Sequence, residues 1–291
     1  MRRLALLFVL AIVVVGLPAR AVADCARQTF DVRESSAAYG QDLIYQTLDV
    51  YAPRAVQGEP LIVFVHGGGW IKGDKAQYAQ LGRAFARCGV AFAAVNYRLA
   101  PAVTVQHQAA DIAAAVQWLH AAAESEGYAR HRLFLMGHSA GAELAAFTAT
   151  DLQALSFANL SKKDISGVIA VDGAAYNPTL DAVLAHDPRY LWLDQVVFGT
   201  NMAEWKRYDI GRNLDGSEPP FLVVQGQNDH IVSASQPRLL VDQLRAAGDS
   251  VTYLEPERDH LTVLQNMISF QDDPIGLAIT RFVSTGSLQS L

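Results

Sequence analysis

Ser139 stands at the centre of Gly137-His138-Ser139-Ala140-Gly141, between an apolar, β-type run (Arg132 to Met136, RLFLM) and a small-residue, helix-type run (AGAELAAF). A G-x-S-x-G pentapeptide in that setting predicts a sharp strand-to-helix turn that lifts the hydroxyl above a sheet, against the positive end of the helix. Without that setting the same letters describe an ordinary turn. A serine hydroxyl is a weak nucleophile until a base takes its proton, so a histidine and an orienting carboxylate must accompany it. Asp229 follows FLVVQ in the loop GQNDHIV, and His260 follows VTYLE in the loop PERDHLTV. The chain order serine, acid, histidine, each beyond a strand-like run, suits a site assembled at the carboxyl edge of a parallel sheet. Asp172 also ends such a run (GVIAV) and is the rival acid, whereas Asp259 reads as a loop-capping residue beside His260.

His66-Gly67-Gly68-Gly69-Trp70 lies directly after LIVFV. Acyl transfer builds negative charge on a carbonyl oxygen, and preorganised backbone N–H groups counter it; glycines let the main chain come close. The N–H groups of Gly68 and Gly69, with that of Ala140, are assigned to such an oxyanion hole. Taken alone, the motif would be no more than a flexible turn. The remaining histidines, His66, His107, His120, His131, His138 and His230, read as structural, and His186 could touch a substrate. No H-E-x-x-H or comparable ligand set is present, so neither a metal nor a cofactor is expected.

The elements needed to position these residues can be read from the apolar pattern. Leu43 to Tyr51 predicts an early antiparallel strand, Leu61 to Val65 and Phe221 to Gln225 predict buried strands, and Val90 to Val95, Arg132 to Met136, Gly167 to Val171 and Val251 to Leu254 predict further strands. Helices are predicted over Lys75 to Arg87, after Pro101, over Ala140 to Thr150, around Pro237 to Ala247 and over Pro274 to Val283. The alternation implies an α/β fold, a mostly parallel sheet with helices on both faces. The stretch from Tyr176 to Gly216 breaks the rhythm and is too long for an ordinary connection. It is an insertion, either a small lid over the site or an excursion covering an apolar edge.

The chain has 291 residues, 51% of them apolar and 18% charged, which permits a large core and argues for one globular domain. Arg2 and Arg3, the apolar run Leu4 to Leu17 and the small-x-small Ala21-Val22-Ala23 read as a secretory signal peptide over residues 1–23, leaving 24–291 as the domain. A membrane anchor is the alternative, but the run falls short of the roughly 20 residues needed to span a bilayer. Cleavage would remove three arginines and no acid from a chain of formal charge −6, and so acidic a surface is a poor partner for nucleic acid. An exported chain permits a disulfide between Cys25 and Cys88; the other reading buries Cys88 at a helix end, capped by Gly89.

HGGGW, Asn96-Tyr97-Arg98-Leu99-Ala100-Pro101, GHSAG, NDHIV and DHLTV, in this order, resemble the esterase and lipase branch of α/β hydrolases that includes hormone-sensitive-lipase-like carboxylesterases. Leu48-Asp49-Val50-Tyr51, the Trp after HGGG and the His in GHSAG are most similar to the group of bacterial feruloyl-type esterases and kynurenine formamidases. The resemblance runs over about residues 43 to 283. It implies an α/β-hydrolase fold and hydrolysis of a small-molecule carboxylic ester, of small or medium acyl size, through an acyl-enzyme. Arylformamide hydrolysis by the same residues is the alternative, and a non-catalytic binding module on the same fold is a further one. Two departures are visible. Asn96 replaces the Asp usual before YRLAP, which puts an ion pair there in doubt, and few residues separate Cys25 from the first strand, too few for a long N-terminal cap.

Overall fold

A computed structural model describes residues 30–54, 57–180, 188–269 and 273–286. The segments 1–23, Cys25 and His186, about which the sequence raised expectations, lie outside the described residues. Eight strands form one sheet in the order β1-β2-β4-β3-β5-β6-β7-β8. They are β1 (Val32–Ala38), β2 (Thr47–Pro53), β3 (Glu59–Val65), β4 (Ala91–Val95), β5 (Tyr128–His138), β6 (Gly167–Val171), β7 (Phe221–Val224) and β8 (Val251–Leu254). β2 runs antiparallel to both β1 and β4, and every other pairing is parallel.

The inner parallel strands carry apolar runs, such as Leu61 to Val65 and Gly167–Val171, because both sheet faces are covered. Successive side chains of a strand point to opposite faces. Leu61, Val63 and Val65 accordingly pack with α2 (Val105–Glu126) and α3 (Ala140–Thr150). Ile62 and Phe64 pack on the other face with Leu81 and Phe85 of α1 (Ala79–Arg87), and with Ile279 and Phe282 of the last helix, Pro274–Thr285. Every residue of α3 is buried. Its sequence AGAELAAFTAT shows why: small side chains let a helix lie close against a sheet on one side and other helices elsewhere. Truncating any one core leucine or phenylalanine should therefore cost about 2–5 kcal/mol.

Several boundaries differ from the sequence reading. The predicted strand Leu43 to Tyr51 begins only at Thr47. Asp42 Oδ1 accepts the N–H groups of Ile44 and Tyr45, making a turn that leaves Leu43 and Ile44 exposed. β1 went unread because VRESSAA is polar, as an edge strand with one half-wet side can be. The helix predicted from Lys75 is a 3-10 turn, Lys75–Tyr78, followed by α1. Asp74 caps that turn by accepting Ala76 N–H at 2.8 Å. Cys88 ends α1 half-buried and disulfide-bonded, with Gly89 at φ 80° beyond it. Among the described residues no helix is long and apolar enough to cross a membrane.

Candidate active site

Ser139 joins β5 to α3 with φ 57° and ψ −127°, a conformation rarely adopted by a residue carrying a Cβ. The two flanking glycines make the turn possible. A Cβ on Gly137 would lie 1.9 Å from the carbonyl oxygen of Gly141, and one on Gly141 would lie 2.1 Å from that of Val65. Ser139 N–H donates to Val171 O at 3.0 Å, which ties the turn to β6, and Ser139 O accepts Ala142 N–H at 2.9 Å as the helix begins.

The glycine loop after β3 presses on this turn, since a Cβ on Gly67 would come within 3.0 Å of Ser139 Cβ. Gly68 and Gly69 adopt φ 121° and 61°. At Gly68 a side chain would also strike Lys72 O at 2.1 Å. Among the described residues no hydrogen bond takes up the N–H of Gly68, Gly69 or Ala140, so all three donors remain available to a ligand. Trp70, itself at φ 60°, anchors the loop: its indole N–H donates to Glu143 Oε2 at 2.9 Å, and its carbonyl accepts Ala100 N–H and Gln108 Nε2–H.

Asp229 and His260 meet. His260 Nδ1 lies 2.8 Å from Asp229 Oδ2, while Oδ1 of the same carboxylate accepts the N–H groups of Ile231 and Val232 at 2.8 and 3.0 Å. Burial alone would raise this carboxyl, but the hydrogen bonds from His260 and from those amides hold it below its ordinary value. An ionised Asp229 fixes the tautomer: Nδ1 carries the proton, and Nε2 is left free as a base. His138 sets the other side of the imidazole. Its Nε2–H donates to the carbonyl oxygen of His260 at 2.8 Å, and the two rings lie 4.6 Å apart. Burial, then the nearby His260, push His138 down to about 3, so it is a neutral support.

Asp172, the rival acid, stands farther off, its Oδ2 4.0 Å from His260 Nδ1. His138, Asp172 and His260 bring three potential metal-ligand atoms within 4.8 Å of one another, yet each imidazole has already committed one nitrogen to a hydrogen bond. Of the other histidines, His66 stacks on Tyr97 at 4.4 Å and His120 bonds Asp164 O at 3.1 Å. Asn96 has both ends of its side-chain amide paired: Nδ2–H donates to Asp74 at 3.2 Å and Oδ1 accepts Lys75 N–H at 2.6 Å.

The described part of the insertion packs into the body of the protein. Trp205, Tyr208 and Ile210 are fully buried, and Phe198 stacks edge-on against Trp70 at 5.6 Å. From its helix Pro188–Phe198, Leu193 reaches the glycine loop, 3.1 Å from where a Cβ of Gly69 would stand. Leu193, His138 and Glu143 were not singled out as site residues from the sequence. A lone acid inside the otherwise apolar helix AGAELAAFTAT was the one local signal, because a buried carboxyl demands a partner.

The sheet order, the helices on both faces and the turn at Ser139 define an α/β-hydrolase fold. The chain belongs to the BD-FAE family, whose model matches residues 48–244. It is 28% identical to esterase LipC of Mycobacterium tuberculosis over 75% of this chain and 56% of that protein. It is 37% identical to a probable isoprenylcysteine α-carbonyl methylesterase, ICME, of Oryza sativa subsp. japonica over 38% of this chain and 27% of the relative. The chain thus spans about half the length, or less, of these curated relatives. Esterase B from Lactobacillus rhamnosis, in a crystal structure described with a C4-C4 SN3 tributyrin phosphonate, superposes with a TM-score of 0.75 at 25% identity, covering 91% of this chain and 90% of that one.

Proposed function

We propose that the protein is a serine carboxylesterase that cleaves small-molecule esters through an acyl-enzyme. The observation that carries the reading is the 2.8 Å contact between Asp229 and Nδ1 of His260, with His138 binding the His260 main chain right beside Ser139. Nε2 of His260 takes the Ser139 proton as Oγ attacks the ester carbonyl. The developing oxyanion is received by the N–H groups of Gly68, Gly69 and Ala140. The imidazolium then returns the proton to the departing alcohol oxygen. Water, deprotonated by the same nitrogen, releases the acid and restores Ser139. Membership of the family and likeness to named esterases support this assignment.

Small or medium acyl groups are the preferred substrates. Leu193 over the glycine loop shortens the space beside Gly69, and a C4 phosphonate accompanies the structure of esterase B. Residues 1–23 act as an export signal and 24–291 as one secreted or periplasmic domain, a reading supported by Arg2, Arg3, Leu4 to Leu17 and Ala21-Val22-Ala23. No metal or cofactor enters the scheme, so chelator should leave the rate unchanged. Purified protein assayed on p-nitrophenyl esters of increasing chain length beside N-formylkynurenine tests the reading. Turnover of short esters, with formamide much slower, supports it; faster formamide hydrolysis would make the protein an arylformamidase.

A further inference from the structure

We propose that Asp172 is a second positioning acid for the His260 imidazole, held in reserve beside Asp229 and able to take over as its acceptor. The inference rests on His260 being the base. Nδ1 of His260 is 2.8 Å from Asp229 Oδ2 and 4.0 Å from Asp172 Oδ2. The second distance is too long for a hydrogen bond, but a shift of about 1 Å would make it one.

What singles out Asp172 is its unused oxygen. Oδ1 is pinned by Gly226 N–H at 2.6 Å, whereas Oδ2 is buried and has no hydrogen-bond partner. An orphaned carboxyl oxygen inside a protein is uncommon and calls for an explanation. The backbone holds it there at a cost, with φ 46° on a residue carrying a Cβ and with its N–H bonded to Val224 O at 2.8 Å. Gly226 belongs to the turn that carries Asp229, whose own N–H donates to Gly226 O at 3.2 Å. Both acids are therefore keyed to one turn, which holds them in a fixed relation to each other while the imidazole shifts between them.

Charge explains why one acid serves and the other waits. Asp229, Asp259, His260, His138 and Tyr176 surround this carboxyl. Two adjacent buried carboxylates resist ionising together. Burial first, and then the charges of Asp229 and Asp259, push Asp172 up to about 7, against the pull of Gly226 N–H and His260. Asp229 meanwhile stays ionised. Without the charge of Asp229 one of the obstacles to ionising Asp172 disappears, and its free oxygen becomes the nearest acceptor for an imidazolium.

A double-mutant comparison decides the matter: wild type, Asp172→Asn, Asp229→Asn and the double variant, assayed for kcat/KM on p-nitrophenyl acetate across pH. The same four combinations in a Ser139→Ala background give the His260 pKa by NMR, a readout that needs no turnover. Asp172→Asn alone should lower kcat/KM less than about threefold, because Asp229 still orients the base. In the Asp229→Asn background it should cost a further tenfold or more, and lower the His260 pKa by about one unit beyond its effect when Asp229 is present. Equal effects in both backgrounds would overturn the proposal, as would Asp172→Asn alone being as damaging as Asp229→Asn. Asp172→Ser repeats the comparison if the Asn chain fails to fold. Should no variant and no wild type turn over the ester, the esterase reading fails, while the NMR comparison still decides the role of Asp172.

Discussion

Trp70 and Glu143 are joined by one hydrogen bond, 2.9 Å from the indole N–H to Oε2, which fastens the glycine loop to the helix that follows Ser139. The other oxygen of Glu143 has no partner, and the side chain is fully buried. Burial, opposed only by the Trp70 hydrogen bond, pushes this carboxyl up to about 8. At neutral pH Glu143 is therefore a neutral acid, whereas in the unfolded chain it is ionised above about 4.3.

The first prediction follows from that difference. A group whose pKa is higher in the folded state favours folding at low pH, and the benefit drains away as pH rises through the folded value. Between about 4.5 and 8, Glu143 should reduce stability by up to about 1.4 kcal/mol for each pH unit. Glu143→Gln keeps an acceptor for Trp70 and cannot ionise, so its melting temperature should decline less over that interval. Parallel melting curves for the two proteins, from pH 5 to 9, would show that Glu143 does not titrate there.

A second prediction concerns the elbow. Gly137→Ala places a methyl 1.9 Å from a backbone carbonyl, which no side-chain adjustment relieves. It should destabilise by more than about 3 kcal/mol or abolish soluble expression. Gly248→Ala is the control, since its Cβ meets nothing within 4 Å and only φ 89° opposes it; about 1–2 kcal/mol is expected there. Urea unfolding of both variants checks the ranking, and equal losses would contradict the packing described at Gly137.

Much of this arrangement was legible in the sequence, and the exceptions have physical causes. α3, β6 and β8 were read to the residue because Asp151, Asp172-Gly173 and Glu255-Pro256 close them with clear turn signals. Leu43 to Gln46 looked like strand by composition, yet Asp42 captures two of its N–H groups locally, and no periodicity reports such a capture. Asp229 and His260 could be paired from chain order alone. The 4.0 Å approach of Asp172 could not, because it depends on β6 lying beside β7 and on Gly226 drawing two loops together. Glu143 signals by its place in a buried helix that it needs a partner, but the partner lies 73 residues away, and nothing local says which residue it is.

Leu193 supplies a third prediction. Its side chain stands over Gly69, so Leu193→Ala should open space beside the glycine loop and move the chain-length optimum toward longer acyl groups. The gain should appear as a fall in KM for the longer esters, with kcat on acetate changed less than about threefold. Rates for p-nitrophenyl esters from acetate to decanoate measure it. An unchanged profile would place the acyl group elsewhere.

The central claim is that Ser139 is the nucleophile, and covalent labelling tests it most directly. Wild-type protein treated with a fluorophosphonate and digested for mass spectrometry should carry the phosphonyl group on Ser139. Ser139→Ala should take up no label, keep the wild-type melting curve, and lose at least about 10³-fold in kcat on p-nitrophenyl acetate. A label on another residue, or an alanine variant that still turns over the ester at the wild-type rate, would contradict the account.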